Sequence, residues 1–283
     1  MYPLLLQRDG DKPIRVFCGF GLNAVDQNAP EYNGPYGGWS GILTGPAPDA
    51  TSMVSSLQGL GYGGECWYSG WNIGGTVVPW VMSSQTTIQE WKDAHAKCQA
   101  VARPGDRFFF LFSGHGGQYE TLTSMTGGTY ICFYDGTWKD HEQHQLDKGW
   151  PEGVIVDYWL DSCHSAGMKN REFMDRKPKS APYLVQSNIL RQEFVEIDES
   201  AIKASIFRWC ACLANETAAD GAHNGAFTSC GLEVIRQAGL AGHQLTRQEL
   251  LDGISALAAS AFPDQHPGLN VLGGARALMD DPI

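Results

Sequence analysis

The chain has 283 residues, 43% of them hydrophobic, and a net charge of −11 at neutral pH. This apolar content predicts a globular fold, and the length suits one domain spanning residues 1–283. The acidic balance, with a pI of about 5.1, excludes nucleic acid and anionic membrane surfaces as expected partners.

The cysteines and the apolar runs indicate a cellular location. The eight cysteines are spread over the whole chain and several lie in predicted strands or helices. Such spacing is not typical of a disulfide framework and favours reduced thiols. The sequence contains no signal-peptide pattern and no run of 18 apolar residues. We therefore expect a cytoplasmic protein that does not bind a membrane.

The first part of the chain predicts alternating strands and helices. Strands are expected at Pro13–Phe20 and Glu65–Tyr68. Asp49 is expected to cap a helix at Ala50–Leu60, and a second helix is expected at Thr87–Ala102.

Residues Gly19–Ala24 read GFGLNA and match a dinucleotide-binding fingerprint. That fingerprint requires a helix directly after it. Here the chain continues into a stretch rich in proline, glycine and asparagine, so we interpret it as a strand followed by a surface loop.

A histidine follows the next predicted strand. Asp106–Gly114 reads DRFFFLFSG, and its apolar run predicts a buried strand that ends just before His115. Beyond it, Thr129–Tyr134 predicts a short strand and Trp138–Leu146 a helix. His141 and His144 share one face of that helix, but no third ligand is evident, so we expect a solvated face and no metal site.

A cysteine follows the fourth predicted strand of the sheet. Val154–Gly167 reads VIVDYWLDSCHSAG, in which an apolar strand ends at Asp161 and a turn of small and polar residues carries Cys163. Open α/β sheets bind ligands at the carboxyl ends of their strands, so a thiol here is well placed to act as a nucleophile. His115 lies 48 positions earlier, close to the caspase spacing of about 50.

The last part of the chain continues the alternation. Ala204–Leu213 predicts a buried strand, Gly225–Gly239 and Thr246–Ala261 predict helices, and Leu269–Leu272 predicts a short final strand. Thr246 and Glu249 have capping-box spacing. Alternating strands and helices predict an α/β sandwich.

Three stretches resemble caspase-like cysteine peptidases, most closely the metacaspases and their bacterial relatives. They are SGHGGQ at Ser113–Gln118, DSCHS at Asp161–Ser165, and NETAADGAHNGAFT at Asn215–Thr228. The resemblance extends from about Ile14 to about Leu272. It implies a caspase-like three-layer α/β/α sandwich around a mostly parallel six-stranded sheet.

Two departures from the metacaspase pattern are evident. Ala166 stands between Ser165 and Gly167, where metacaspases usually read CHSG. The acid-rich segment that often follows the histidine motif is replaced by Tyr119–Gly128, which has one acid. The sequence therefore does not support calcium dependence, and no cofactor is expected.

The resemblance and the chemistry of thiols together assign the catalytic residues. A thiol needs a neighbouring imidazole to take its proton, and His115 fills that role for Cys163. His164 is the rival base, but neighbouring side chains in a strand or sharp turn point apart. We expect the backbone N–H groups of Cys163 and Gly116 to bind the oxyanion.

Two acids predict the specificity. Metacaspases cut after Arg or Lys and use carboxylates to bind that side chain in the S1 pocket, which holds the residue before the scissile bond. Asp161 and Asp220 match the family's two acids, with a turn or capping residue as the alternative for each. The expected substrates are proteins or peptides with basic residues.

The segment Met168–Pro182 is basic and predicts an exposed loop. In this family the loop after the nucleophile can be cleaved during maturation, and the candidate processing sites are Arg171, Arg176, Lys177 and Lys179. An uncut surface loop is the alternative.

Two other functions remain open: a latent effector of a bacterial defence or cell-death system, switched on by an activating protease or ligand, and a non-catalytic caspase-like interaction module. A serine hydrolase is disfavoured because no G-x-S-x-G motif is present.

Overall fold

The structure is a computed structural model that describes residues 10–34, 37–66, 71–73, 86–121, 124–163, 199–213, 216–221 and 223–283. Its strands, in chain order, are β1 (Arg15–Gly21), β2 (Asn33–Gly34), β3 (Gly37–Gly38), β4 (Gly63–Cys66), β5 (Trp71–Ile73), β6 (Arg107–Ser113), β7 (Gly116–Thr121), β8 (Ser124–Phe133), β9 (Gly136–Lys139), β10 (Ile155–Asp161), β11 (Ser205–Cys210) and β12 (Gly268–Leu272). Its helices are α1 (Pro46–Gln58), α2 (Ile88–Val101), α3 (Asp140–Asp147), α4 (Ala226–Leu240) and α5 (Arg247–Ala261).

The central sheet has the order β12-β11-β10-β6-β1-β4-β5. The five inner strands are parallel, while β12 and β5 run antiparallel at the two edges. The predicted α/β fold with a mostly parallel sheet is confirmed. The sheet has seven strands rather than six, because β5 is a three-residue edge strand too short to give an apolar pattern.

Each face of the sheet carries its own hydrophobic core. Along β6, Phe108, Phe110 and Phe112 pack on the face covered by α2, while Phe109 and Leu111 pack on the face covered by α1, α4 and α5. Because side chains alternate along a strand, a strand buried on both faces is apolar throughout. Burial on both faces therefore explains the uninterrupted apolar run of β6. The two cores, each covered by helices, confirm the three-layer arrangement.

The register of β6 and β10 positions the site. Ser113 pairs with Asp161, so the two central strands end at the same level. His115 and Cys163 each lie two residues beyond this pair, and the Gly114 N–H donates a 3.2 Å hydrogen bond to the Asp161 carbonyl. The histidine and the cysteine therefore leave the same edge of the sheet.

A second sheet, in the order β7-β8-β9, begins directly after His115. The loop after β1 folds against it, burying Val25, Ala29 and Tyr32 next to Cys132 of β8, with Trp39 packed on this cluster. Trp39 in turn packs on the His115 ring, so this small core supports the position of His115.

Two helix starts differ from the prediction. Helix α1 begins at Pro46 with Gly45 as its N-cap, so Asp49 does not cap it. Proline is favoured in the first helical turn because its missing N–H is not needed there, and Asp49 turns into the protein interior instead. Helix α3 begins at Asp140 and not at Trp138, because Trp138 belongs to β9 and pairs with Ile131 of β8.

Candidate active site

Cys163 and His115 line one cavity at the carboxyl edge of the central sheet. The cavity has a volume of about 240 Å³, and both predicted S1 acids, Asp161 and Asp220, also line it. Four residues from three separate parts of the chain therefore line one space, on the side of the sheet where α/β folds bind ligands.

A backbone carbonyl orients the His115 ring. Its Nε2 lies 3.1 Å from the Gly41 oxygen, and because a carbonyl only accepts hydrogen bonds, Nε2 carries the hydrogen. In the neutral ring, Nδ1 is then the nitrogen that can take a proton. The Trp39 ring packs 4.6 Å from the imidazole. Burial lowers the pKa of His115 below its ordinary value, so the neutral base is favoured at neutral pH.

The Cys163 thiol is partly buried and faces the Ala218 carbonyl at 3.8 Å. Burial raises the pKa of this thiol above its ordinary value, and the nearby Asp161 raises it further. Together with the lowered pKa of His115, this favours a neutral thiol beside a neutral imidazole. Such a pair reacts when the base removes the proton as the sulfur attacks.

Gly116 lies against the backbone of Cys163. A Cβ added at Gly116 would clash with the Cys163 carbonyl oxygen, so only glycine allows this approach. Gly116 pairs with Ile131, and the Cys132 N–H donates to the His115 carbonyl. This pattern identifies a non-hydrogen-bonded pair, in which the Gly116 N–H faces away from β8. The predicted oxyanion role is compatible with this orientation and stays a prediction.

Asp161 lies at the end of β10 and is 5% exposed. Its Oδ2 accepts hydrogen bonds from the Thr228 backbone N–H at 3.0 Å and from the Thr228 hydroxyl at 2.7 Å. Burial, with a smaller contribution from Asp220, raises its pKa to about 6 against the opposing effect of these two bonds. The fold thus fixes a carboxyl group whose charge is stabilised when a cation enters the cavity.

Asp220 is exposed, and backbone donors hold it in place. Its two oxygens accept from the N–H groups of Thr44 and Gly45, each at 3.0 Å. These donors lie at the start of α1, where free N–H groups and the helix dipole favour a carboxylate. Asp220 therefore bridges the loop after β11 to the segment that precedes α1.

Comparison with known proteins identifies the family. The model of the caspase domain family matches residues 32–269. The chain belongs to the caspase domain family. Metacaspase-1 of Schizosaccharomyces pombe is 34% identical over 95 residues, which cover 31% of this chain and 22% of that protein. The chain thus matches about a fifth of the length of this curated relative.

Two solved structures share the fold of this caspase domain. Protein GSU0716 from Geobacter sulfurreducens is 25% identical, with a TM-score of 0.72 over 95% of this chain and 98% of that chain. Caspase-1 from Spodoptera frugiperda is 11% identical, with a TM-score of 0.50 over 93% of this chain and 87% of that chain. The family model and the metacaspase relative identify a cysteine-peptidase domain at the level of the family.

Besides Asp161 and Asp220, this caspase domain has a third acid near the candidate site, Asp49, whose position sequence reasoning missed. Asp49 is fully buried; Oδ2 accepts from the Ser113 hydroxyl at 2.6 Å, and Oδ1 accepts from the Gly225 N–H at 2.8 Å. Burial raises its pKa well above the ordinary value, and the neighbouring Asp161 raises it further. The signal was present in the sequence: an acid at position 49 lies on the same helical face as Ala50, Met53 and Leu57.

Gln265 holds the loop that carries Ala218 and Asp220. Its side chain is buried, accepts from the Ala219 N–H at 2.9 Å and donates to the Ala211 carbonyl at 3.0 Å. The amide group supplies both the donor and the acceptor that these two bonds require. Nothing in the local sequence indicated this role, because it depends on the distance between two loops.

The candidate processing sites Arg171, Arg176, Lys177 and Lys179 lie outside the described residues, as does the rival base His164. Among the helices that the structure describes, none is both long and apolar enough to cross a membrane.

Proposed function

We propose that this caspase domain is a cysteine endopeptidase that cleaves after Arg or Lys, with Cys163 as the nucleophile and His115 as the general base. The observation that carries the proposal is the shared cavity, which thiol, imidazole and two carboxylates line together. A volume of about 240 Å³ is smaller than most drug-sized pockets and suits one extended side chain beside the reacting bond.

The proposed reaction follows from the orientation of His115. Nδ1 takes the thiol proton as Sγ attacks the substrate carbonyl, and the oxyanion is bound by the N–H groups of Cys163 and Gly116. The C–N bond then breaks as Nδ1 gives its proton to the leaving amine, which leaves a thioester on Cys163. Water hydrolyses this thioester with His115 again as the base, which restores the thiol.

Charge supports the proposed specificity. A cationic side chain entering the cavity meets Asp161 at its buried end and Asp220 at its exposed side. A hydrogen bond between charged partners contributes about 1.5–3 kcal/mol, or roughly 10- to 150-fold in kcat/KM for each acid. An acidic side chain would meet repulsion from both carboxylates, so cleavage after Asp is disfavoured.

Fluorogenic peptides ending in Arg, Lys or Asp test the proposal, with and without calcium. We expect turnover of the Arg and Lys peptides by the wild type and none by Cys163→Ala. Cys98→Ala removes a buried thiol from α2, outside the cavity, and serves as the matched control that keeps activity. Cleavage after Asp alone would contradict the acidic pocket. If none of the three peptides is cleaved, the latent form is favoured.

The same preparations test self-processing at the proposed sites Arg171, Arg176, Lys177 and Lys179. Intact-mass analysis of wild type and Cys163→Ala should show fragments only in the wild type. Masses that differ only by the substitution would exclude cleavage by the protein itself.

A further inference from the structure

One loop segment passes along the cavity from the catalytic base to an S1 acid. At its start, Trp39 packs on the His115 ring and the Gly41 carbonyl accepts from it. Leu43 lines the cavity. At its end, the backbone of Thr44 binds Asp220. The segment therefore runs from the side of the cavity that holds His115 to the side that holds Asp220.

The reaction fixes the direction of that substrate. His115 protonates the leaving amine, so the residue that begins with this amine must lie beside His115. The side chain before the scissile bond points the other way, toward Asp161 and Asp220. The His115 end of the segment is consequently where the substrate residue after the scissile bond, held in the S1′ subsite, must lie.

The side chains at this end are apolar. The stretch 37–45 reads GGWSGILTG and contains no charged residue, in a protein whose net charge is −11. Ile42, next to the Gly41 that holds His115, is 76% exposed. Within the described parts of the chain, large apolar side chains are otherwise exposed only at Val101, Leu213 and Leu240.

An apolar side chain held in water beside a catalytic residue gains free energy when a ligand covers it. We propose that Trp39 and Ile42 form an apolar S1′ subsite, and that the enzyme prefers an aliphatic or aromatic residue directly after the scissile bond. This inference rests on the proposed function, and it adds a selectivity opposite in character to the acidic S1 pocket.

Two kinds of substrate separate the inference from the proposed function. Arg-aminomethylcoumarin peptides carry an aromatic leaving group in place of a residue after the scissile bond, so they test the proposed S1 binding and catalysis without comparing P1′ residues. Quenched fluorescent peptides with Arg-Leu or Arg-Ser at the scissile bond measure the preference of the S1′ subsite. We expect wild type to prefer Leu over Ser about fivefold in kcat/KM, as a half-covered aliphatic side chain allows.

Ile42→Ser should bring this ratio close to one by slowing cleavage of the Arg-Leu peptide and leave turnover of the Arg-Ser peptide unchanged, while Ile42→Val should keep the preference. Leu240→Ser is the matched control, because Leu240 is also 76% exposed but lies at the end of α4. A ratio near one in the wild type, or one that Ile42→Ser does not change, would overturn the inference even if the coumarin peptide is cleaved.

If the coumarin peptide is not cleaved, digestion of a proteome followed by mass spectrometry determines the residue preferences of S1 and S1′ separately. Apolar residues enriched after the cleaved bond, with a residue other than Arg or Lys before it, would support the S1′ subsite and overturn the basic specificity. A digest without any cleavage that depends on Cys163 would contradict both.

Discussion

Asp161 is the residue at which binding and folding oppose each other. Its carboxyl is buried, and burial raises its pKa to about 6. A raised pKa means that the folded protein binds this proton more tightly than the unfolded chain does. Stability therefore falls as the pH rises from the ordinary value of 3.8 through about 6. Above this window the ionised group destabilises the fold, and the same charge is what the proposed basic substrate would need.

Asp161→Asn should raise stability and weaken cleavage after Arg together. We expect a loss of about 10- to 150-fold in kcat/KM on Arg peptides and a rise in Tm of a few degrees at pH 7. The stability gain should be much smaller near pH 4, because the folded wild type is then protonated and the pH is close to the ordinary pKa of 3.8. Thermal melts at pH 4 and pH 7 check this, with Asp220→Asn as the exposed control that loses turnover without gaining stability. A lower Tm at pH 7 for Asp161→Asn would contradict the prediction.

At the scale of elements, the segment before α1 decides where His115 points. Gly41 has φ of +52°, and a Cβ there would approach His115 Cδ2 and the Trp39 ring to 3.1 Å each. A side chain at this position therefore carries both backbone strain and a direct push on the base.

Gly41→Ala should lower kcat by about tenfold to a hundredfold, because a shift of the base well below 1 Å weakens proton transfer. KM for Arg peptides should change little, since the S1 acids do not move. Gly242→Ala provides the control: Gly242 has φ of +63° and nothing within 4 Å of an added Cβ, so it tests strain alone. Equal losses of activity in the two variants would show that strain, and not the orientation of His115, is the cause.

The sequence predicted the elements that repeat a simple pattern. The apolar runs of β6 and β10 and the capping box of α5 were recognisable locally, and the ends of the two strands placed His115 and Cys163 at one edge. Asp49 was misassigned because capping and inward-facing carboxylates look alike in sequence. Its partners, Ser113 and Gly225, are distant along the chain and become neighbours only in the fold.

At the scale of the whole molecule, a buried ion pair ties α3 to β11 on the face opposite the S1 acids. Asp147 pairs with Arg208, and both side chains are almost fully buried. Tyr158 of β10 and Gln143 of α3 also donate to Asp147. The pair therefore connects three elements within the core that α2 covers.

Arg208→Leu should lower the free energy of unfolding by about 3–5 kcal/mol, because it leaves the Asp147 carboxylate buried without its cation. Adding Asp147→Leu should recover part of this loss, since no charge then remains buried. Urea unfolding monitored by tryptophan fluorescence measures both. Arg236→Leu breaks an exposed pair with Glu233 and should leave the midpoint unchanged. A double variant less stable than Arg208→Leu would contradict this account.

The arrangement of the site along the chain has a consequence for the protein during its synthesis. Asp49, His115 and Cys163 leave the ribosome before the residues that complete their surroundings. Thr228 and Gly225, which bind Asp161 and Asp49, belong to the start of α4, and Gln265 follows later still. A growing chain that ends before α4 carries a nucleophile and a base without an ordered pocket for a basic side chain. Under the proposed function, selective cleavage can therefore begin only late in translation, so the unfinished chain does not cleave its own ribosome or neighbouring proteins selectively.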